Sequence, residues 1–206
     1  MNYFKLLTKL IPPSVKGFIL SKIRILNTNL KKPKMYYGYK NINGEWRSST
    51  RISDTVFMYH PERISISNNV FIWHYSILDG TGGLEIGEGS QIGAWVGIFT
   101  HSSHIAIRIY GNHYQEIPEE LKKGYPIDKV SLGKYVFIGA GSKILPGVNI
   151  GDGALISAGT IVNKDIDSFQ IAAGNPAQII GDTRTMDQKY LGDHQLKQWY
   201  LEWQKS

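Results

Sequence analysis

The chain has no cysteine among its 206 residues. Disulfides, thiolate zinc sites and cysteine nucleophiles are excluded together, and the absence agrees with a reducing compartment. Long apolar runs are missing too: no stretch approaches the ~20 residues that span a bilayer. Lys5, Lys9, Lys16 and Lys22 break up the apolar residues of the N-terminus. No signal-peptide core forms there, so the expected location is the cytoplasm. Acidic residues are missing from residues 1–40, which hold nine Lys/Arg, whereas residues 41–206 hold 14 basic and 17 acidic residues. The basic balance therefore belongs to one arm, and the body is not charged like a nucleic-acid binder. Nucleotide-binding glycine motifs are also missing. Gly87-x-Gly89, Gly139-x-Gly141 and Gly151-x-Gly153 meet Ile92, Ile144 and Ile156 where a dinucleotide fingerprint needs its third glycine. There is no P-loop and no Gly-x-Ser-x-Gly elbow.

What is present is a repeat. An aliphatic residue recurs every six positions at Leu132, Ile138, Ile144, Ile150, Ile156 and Val162, and upstream at Ile66, Ile72, Leu78 and Ile86, Ile92, Ile98. Glycine often follows it, as at Gly87, Gly93, Gly133, Gly139 and Gly151. Two residues before it stands a small or β-branched residue, such as Ser76, Ser90, Val96, Val136, Ser142 or Thr160. Six is neither the helical period nor simple strand alternation. Short strands joined by turns fit it: each unit makes one flat face, and three faces close a triangular coil. Stacked coils pair their backbones in parallel and share a continuous core. The aliphatic positions group as four triplets, which predicts about four coils.

Two breaks interrupt the rhythm, a short one at Gly80–Gly83 and a long polar and aromatic one over about residues 104–128. A long loop extruded from a rigid solenoid is a functional candidate. Residues 1–35 read as helical in two pieces split by Pro12-Pro13, and residues 36–63 as an irregular, aromatic-rich lead-in. The tail carries Tyr190, Leu191, Leu196, Trp199, Tyr200 and Trp203 and reads as a helix. The expected organisation is thus a basic arm and lead-in over 1–63, a β-helix over 64–180, and a helical tail over 181–206.

The repeats over roughly residues 64–180 resemble those of the hexapeptide-repeat acyltransferases, which implies a left-handed parallel β-helix. The successions Phe137-Ile138-Gly139-Ala140-Gly141-Ser142, Ser157-Ala158-Gly159-Thr160, Val162-Asn163-Lys164-Asp165 and Ala173-Gly174-Asn175-Pro176-Ala177 are similar to that family's C-terminal pattern. The resemblance implies acetyl-CoA as co-substrate. Small residues at Ala140 and Ala158 would let the pantetheine arm lie against the coil. Lys164 would lie near the phosphates, and Asn163, Pro176 and Gln178 at the adenine end. Many relatives carry Arg or Lys where Gln178 stands.

The segment Thr100-His101-Ser102-Ser103-His104 resembles the Thr-x-Ser-His and Thr-x-x-His-Pro segments of galactoside, maltose and capsular-sugar acetyltransferases, where the histidine is the general base. Imidazole titrates near neutral pH and can take a proton from a sugar hydroxyl attacking a thioester. Allowing one inserted residue aligns His104 with that base; His101 is the alternative. Ile105 stands where the family has proline. Candidates for the histidine's orienting partner lie one coil earlier, in Trp73-His74-Tyr75 and Leu78-Asp79. Similar enzymes carry an acidic or amide residue near there that binds acceptor hydroxyls, which implies Asp79 as substrate-binding, together with His74, Trp73 and Arg108, the last matching a downstream arginine. The reading that follows is an acetyl-CoA-dependent sugar O-acetyltransferase of surface-polysaccharide synthesis. It would work as a homotrimer without metal, on a sugar or lipid-linked acceptor, with the basic arm against a membrane surface or packed on the trimer. Amino-sugar N-acetylation and small-molecule or antibiotic acceptors remain open. So do a γ-carbonic-anhydrase-like zinc enzyme using His101, His104 and His113, and a noncatalytic binding solenoid.

Overall fold

The structure is a computed structural model that describes residues 15, 17–23 and 32–205. The chain divides into two compact units, Met1–Lys34 and Met35–Ser206. In the first, residues 15 and 17–23 are helical; the expected helix ahead of Pro12-Pro13 lies outside the described residues. Among the described residues no helix is long and apolar enough to cross a membrane.

The second unit is a three-sided parallel β-helix. Its first face stacks β2 (Trp46–Ser53), β5 (Phe71–Ile72), β8 (Gln91–Ile92), β11 (Phe137–Ile138), β14 (Leu155–Ile156) and β16 (Gln170–Ala173). The second stacks β3 (Phe57–Tyr59), β6 (Ile77–Asp79), β9 (Gly97–Ile98), β12 (Lys143–Ile144) and β15 (Ile161–Val162). The third stacks β4 (Ile64–Ile66), β7 (Leu84–Ile86), β10 (Val130–Leu132) and β13 (Asn149–Ile150), with Ile166 bridged to Ile150.

The repeating aliphatics are the core. Ile66, Ile72, Leu78, Ile92, Ile98, Ile138, Ile144, Ile156 and Val162 are fully buried, and Ile86, Leu132 and Ile150 nearly so. Each contributes roughly 1.5–3 kcal/mol relative to exposure. The small residue two positions earlier does more than fit the corner. Ser90 Oγ donates to Gly133 O at 2.9 Å and accepts the Val136 N–H at 3.0 Å. Ser76 and Ser142 repeat the arrangement with Gly93 O and the Val96 N–H, and with Ser157 O and the Thr160 N–H. Each hydroxyl satisfies one donor and one acceptor of the adjacent coil where strand pairing stops.

The repeat extends further than its rhythm suggests. β2 pairs in parallel with β5, β3 with β6 and β4 with β7, so β2 and β3 open a further coil that β4, with Ile66 of the first triplet, completes; with Ile166 closing the last, the turns number five, not four. The reading of 36–63 as irregular is corrected accordingly. This coil places Ile52 and Met58 where later coils place isoleucine, and its β2 also pairs antiparallel with β1 (Met35–Lys40). Exposed Tyr36, Tyr37 and Trp46 on that hairpin hide the sixfold phase. At the other end β16 pairs antiparallel with β17 (Gln178–Asp182). The tail then forms α1 (Thr183–Asp187), a 3₁₀ turn at Gln188–Tyr190 and α2 (His194–Trp203). Asp193 caps α2 by accepting the Leu196 N–H. Trp203 packs its ring 4.6 Å from Tyr135 and 5.7 Å from Phe169.

Candidate active site

Each lengthening of the six-residue step falls at one corner, between the second and third faces. Met58 to Ile66 and Leu78 to Ile86 each take two extra residues, and Ile98 to Leu132 carries the long loop. The rigid coils thus stack three insertions on one another, and the site forms there.

Asp79 ends β6 and is 2% exposed. The chain then turns tightly, with the Gly80 N–H donating to Tyr59 O and the Gly83 N–H to Gly80 O. A Cβ on Gly80 would stand 2.4 Å from the carbonyl oxygen of His60, so only glycine lets the turn close. The turn aims Thr81 back at the carboxylate: its hydroxyl and N–H donate to Oδ1 at 2.6 and 2.9 Å. The Thr100 N–H donates to Oδ2 at 2.8 Å, and His101 Nδ1 stands 2.6 Å from the same oxygen. Burial alone would push the Asp79 carboxyl up. The Thr81 hydroxyl and N–H, the Thr100 N–H and His101 outweigh it and hold the carboxyl at about 2.

An ionised carboxylate can only accept, so Nδ1 of His101 carries a hydrogen. In the neutral imidazole Nε2 is then bare. The backbone of His101 is fixed as well. The Asp128 N–H donates to Thr100 O, the Ser102 N–H to Pro126 O, and His101 bridges Ile127, which zips the base of the long loop into a short antiparallel stem. Further out, the Lys122 ammonium lies 4.1 Å above the Tyr114 ring and 5.9 Å from that of Tyr125. The loop places the Tyr125 ring 5.8 Å from the imidazole.

His101 and Phe99 are shared by two cavities. One, of about 310 Å³, is walled by Phe57, Tyr59, Ile77, Asp79, Glu119 and Tyr125. The other, of about 650 Å³, runs past His104, Pro126, Leu145, Pro146 and Asn163. An imidazole between two adjoining cavities can pass a proton between two substrates, one from each side.

A profile described as bacterial transferase hexapeptide (six repeats) matches residues 129–164. The dTDP-4-amino-4,6-dideoxy-D-glucose acyltransferase of Escherichia coli is 30% identical over 159 residues, covering 76% of this chain and 79% of that protein. This chain belongs to the hexapeptide-repeat acyltransferases. Its coils are those of the left-handed parallel β-helix. The putative acetyltransferase YvoF of Bacillus subtilis is 48% identical over 71 residues, 34% of this chain, and the chain spans only 41% of it. Among solved structures, AntD, an N-acyltransferase from Bacillus cereus in complex with dTDP-4-amino-4,6-dideoxyglucose and coenzyme A, superposes with a TM-score of 0.52 at 25% identity. The match covers 70% of this chain and 88% of that one.

In this acyltransferase the other expected site residues separate into groups. His104 is exposed, and its Nδ1 lies 2.8 Å from Ser102 Oγ; Asp79 pairs with His101 instead. The stem holds the residue next to Thr100 against Asp79, which leaves His104 beyond the stem, just ahead of the short helix Ala106–Tyr110. Arg108 donates to the carbonyl of His104 and lines neither cavity beside His101. His113 pairs with Glu116 at 2.8 Å, so the three histidines of the zinc alternative hold separate partners. His74 Nδ1 lies 2.7 Å from Ser53 Oγ, at the corner between the first and second faces, away from Asp79. Trp73 lines a cavity of about 230 Å³ on the first face together with Phe71, Gln91, Phe137 and Ala140.

Ala140 and Ala158 are exposed and stacked on that same corner, the Gly159 N–H donating to Ala140 O at 2.9 Å. Lys164, Pro176 and Gln178 are exposed, and Asn163 opens into the larger cavity. Sequence reasoning missed Thr81, Tyr59, Glu119 and Tyr125. Thr81 sits in a turn whose glycines read as a break in the repeat, and the other three reach the site only through folding of the first coil and the long loop.

Proposed function

We propose that this chain transfers an acetyl group from acetyl-CoA to a sugar hydroxyl, with His101 as general base and Asp79 as its orienting partner. The observation that carries the reading is the Asp79–His101 pair set between two cavities. An alcohol is a poor nucleophile until its proton leaves, and an imidazole with its far nitrogen tied to a carboxylate is built to take that proton. In the step proposed, Nε2 accepts the hydroxyl proton as the oxygen attacks the thioester carbonyl. The tetrahedral intermediate expels CoA thiolate, and the imidazolium returns the proton to the sulfur. Backbone N–H groups at the coil edge would hold the oxyanion. The acceptor would enter the smaller cavity, between Tyr59 and Tyr125. The thioester would reach His101 from the larger one, past Asn163 with Lys164 beside it; the Ala140–Ala158 edge, with Pro176 and Gln178, lies at the other corner and would flank the donor only from a neighbouring copy in the proposed trimer. His104 lines the donor side in this arrangement and is not the base. A homotrimer acting at the cytoplasmic side in surface-polysaccharide synthesis completes the proposal.

A second reading is acyl transfer to the amine of a nucleotide-linked amino sugar, favoured by the E. coli relative, which acts on a dTDP-amino sugar by its name. CoA release from acetyl-CoA, measured with sugar alcohols and dTDP-amino sugars as acceptors, separates the two. Turnover with hydroxyl acceptors alone supports the first reading. Turnover confined to the amine replaces it with the second, and no acceptor-dependent release removes both.

A further inference from the structure

We infer that the N-terminal unit is a membrane-surface arm whose partner is an anionic lipid bilayer. Two independent features of the unit call for opposite surroundings. Residues 1–34 carry eight Lys/Arg and no Asp/Glu, whereas residues 41–206 are net acidic. Within the described helical stretch Phe18, Ile19 and Ile23 fall on one side of the helix and are uncovered, at 63%, 42% and 48% exposed. In the second unit, by contrast, the repeating aliphatics are sealed inside the coils.

An acidic protein or a nucleic acid would satisfy the charges and leave Phe18, Ile19 and Ile23 in water. An apolar groove would satisfy those three and leave the lysines without counter-charge. A bilayer interface with anionic headgroups offers both, acyl chains for one face and phosphates for the other. The Lys22 ammonium lies 5.4 Å from the Phe18 ring centroid. That is the disposition of a cation reaching headgroup level above a ring that sinks below it. Near such a surface each Lys or Arg strengthens binding about fivefold. The inference does not depend on the reaction proposed above.

The test is flotation of the full chain with vesicles of phosphatidylcholine alone and of phosphatidylcholine mixed with phosphatidylglycerol. Binding is expected to the mixed vesicles only. It should be abolished at ~1 M salt, where the screening length falls to about 3 Å. Replacing Lys5, Lys9, Lys16 and Lys22 with Gln should weaken it more than about a hundredfold. Phe18→Ser with Ile19→Ser should weaken it while leaving the salt dependence in place. Circular dichroism and thermal unfolding of each variant, unchanged from the parent, show that the β-helix is intact. Equal flotation with both vesicles overturns the inference, as does none with either. So does self-association of the protein alone that Phe18→Ser with Ile19→Ser relieves, because a second copy would then cover the face.

Discussion

Nδ1 of His101 lies 2.6 Å from Oδ2 of Asp79, while His104, three residues later, faces Ser102. The difference is directly measurable. His101→Ala is expected to lower acceptor-dependent CoA release by ~10²–10⁴-fold, the usual worth of a positioned general base. His104→Ala should stay within a few-fold, with any effect in the KM for acetyl-CoA. The reverse pattern would return the base to His104.

Asp79 is expected to matter twice, to rate and to acid stability. Asp79→Asn keeps the shape but no longer offers two accepting oxygens to Thr81, Thr100 and His101, and kcat should fall at least ~10²-fold. The stability sign follows from its carboxyl lying at about 2 in the folded chain. That is below the ~3.9 of a free aspartate. A depressed acid stabilises the fold at all pH values above the ordinary one, and that stabilisation is lost as pH falls through the folded value. The window is therefore pH ~4 to ~2, and the gap corresponds to roughly 2–3 kcal/mol. Urea unfolding should show wild type losing that advantage over Asp79→Asn across the window. A constant difference between them would contradict the assignment.

Thr81 acts through Asp79. Thr81→Val removes the hydroxyl that donates at 2.6 Å and keeps the volume. The expected loss is about 1–3 kcal/mol, as for hydrogen bonds to a charged group. It should appear as a kcat reduction with the acceptor KM unchanged and as a displaced acid limb of the pH–rate profile. Thr81→Ser should restore both. A loss of folded protein with normal kcat in what remains would make Thr81 purely structural.

Tyr125 tests which cavity takes the acceptor. Its ring stands 5.8 Å from the imidazole on the side of the smaller cavity. Tyr125→Ala should raise the acceptor KM on the order of tenfold, one stacked ring being worth about 0.5–1.5 kcal/mol. The KM for acetyl-CoA should not move. An increase in that KM instead would exchange the roles of the two cavities.

What was legible in the sequence was what repeats. Ile138, Ile144 and Ile156 announce their burial because the coil demands one inward aliphatic per face, and the same spacing gives the parallel stacking. Asp79 was legible as a candidate because it lies one coil ahead of the histidines, where similar enzymes carry an acidic or amide residue. The choice between His101 and His104 was not. It depends on the register of the stem that pairs Thr100 with Asp128, a contact 28 residues apart with no periodic signal. The first coil was hidden for a related reason: Ile52 and Met58 keep the geometry, but exposed Tyr36, Tyr37 and Trp46 on the adjoining hairpin blur the phase. Thr81 looks like an ordinary turn residue until the backbone turns it onto a buried carboxylate.

Gly139 joins the fold to the proposed donor edge. A Cβ there would lie 2.4 Å from the Ala158 nitrogen, 2.7 Å from its Cα and 2.8 Å from the Ile156 carbonyl oxygen. All three are backbone atoms of the next coil, so no side-chain rotation can relieve the clash. Gly139→Ala must push apart the coils that carry Ala140 and Ala158. The expected cost is ~1–3 kcal/mol of stability, as for overpacking elsewhere. In the protein that remains folded, the KM for acetyl-CoA should rise, while the acceptor KM and the pH profile set by His101 stay as they were. Isothermal titration with coenzyme A provides a check independent of turnover. Unchanged CoA affinity in a measurably destabilised Gly139→Ala would move the donor away from this corner and leave the Asp79–His101 pair untouched.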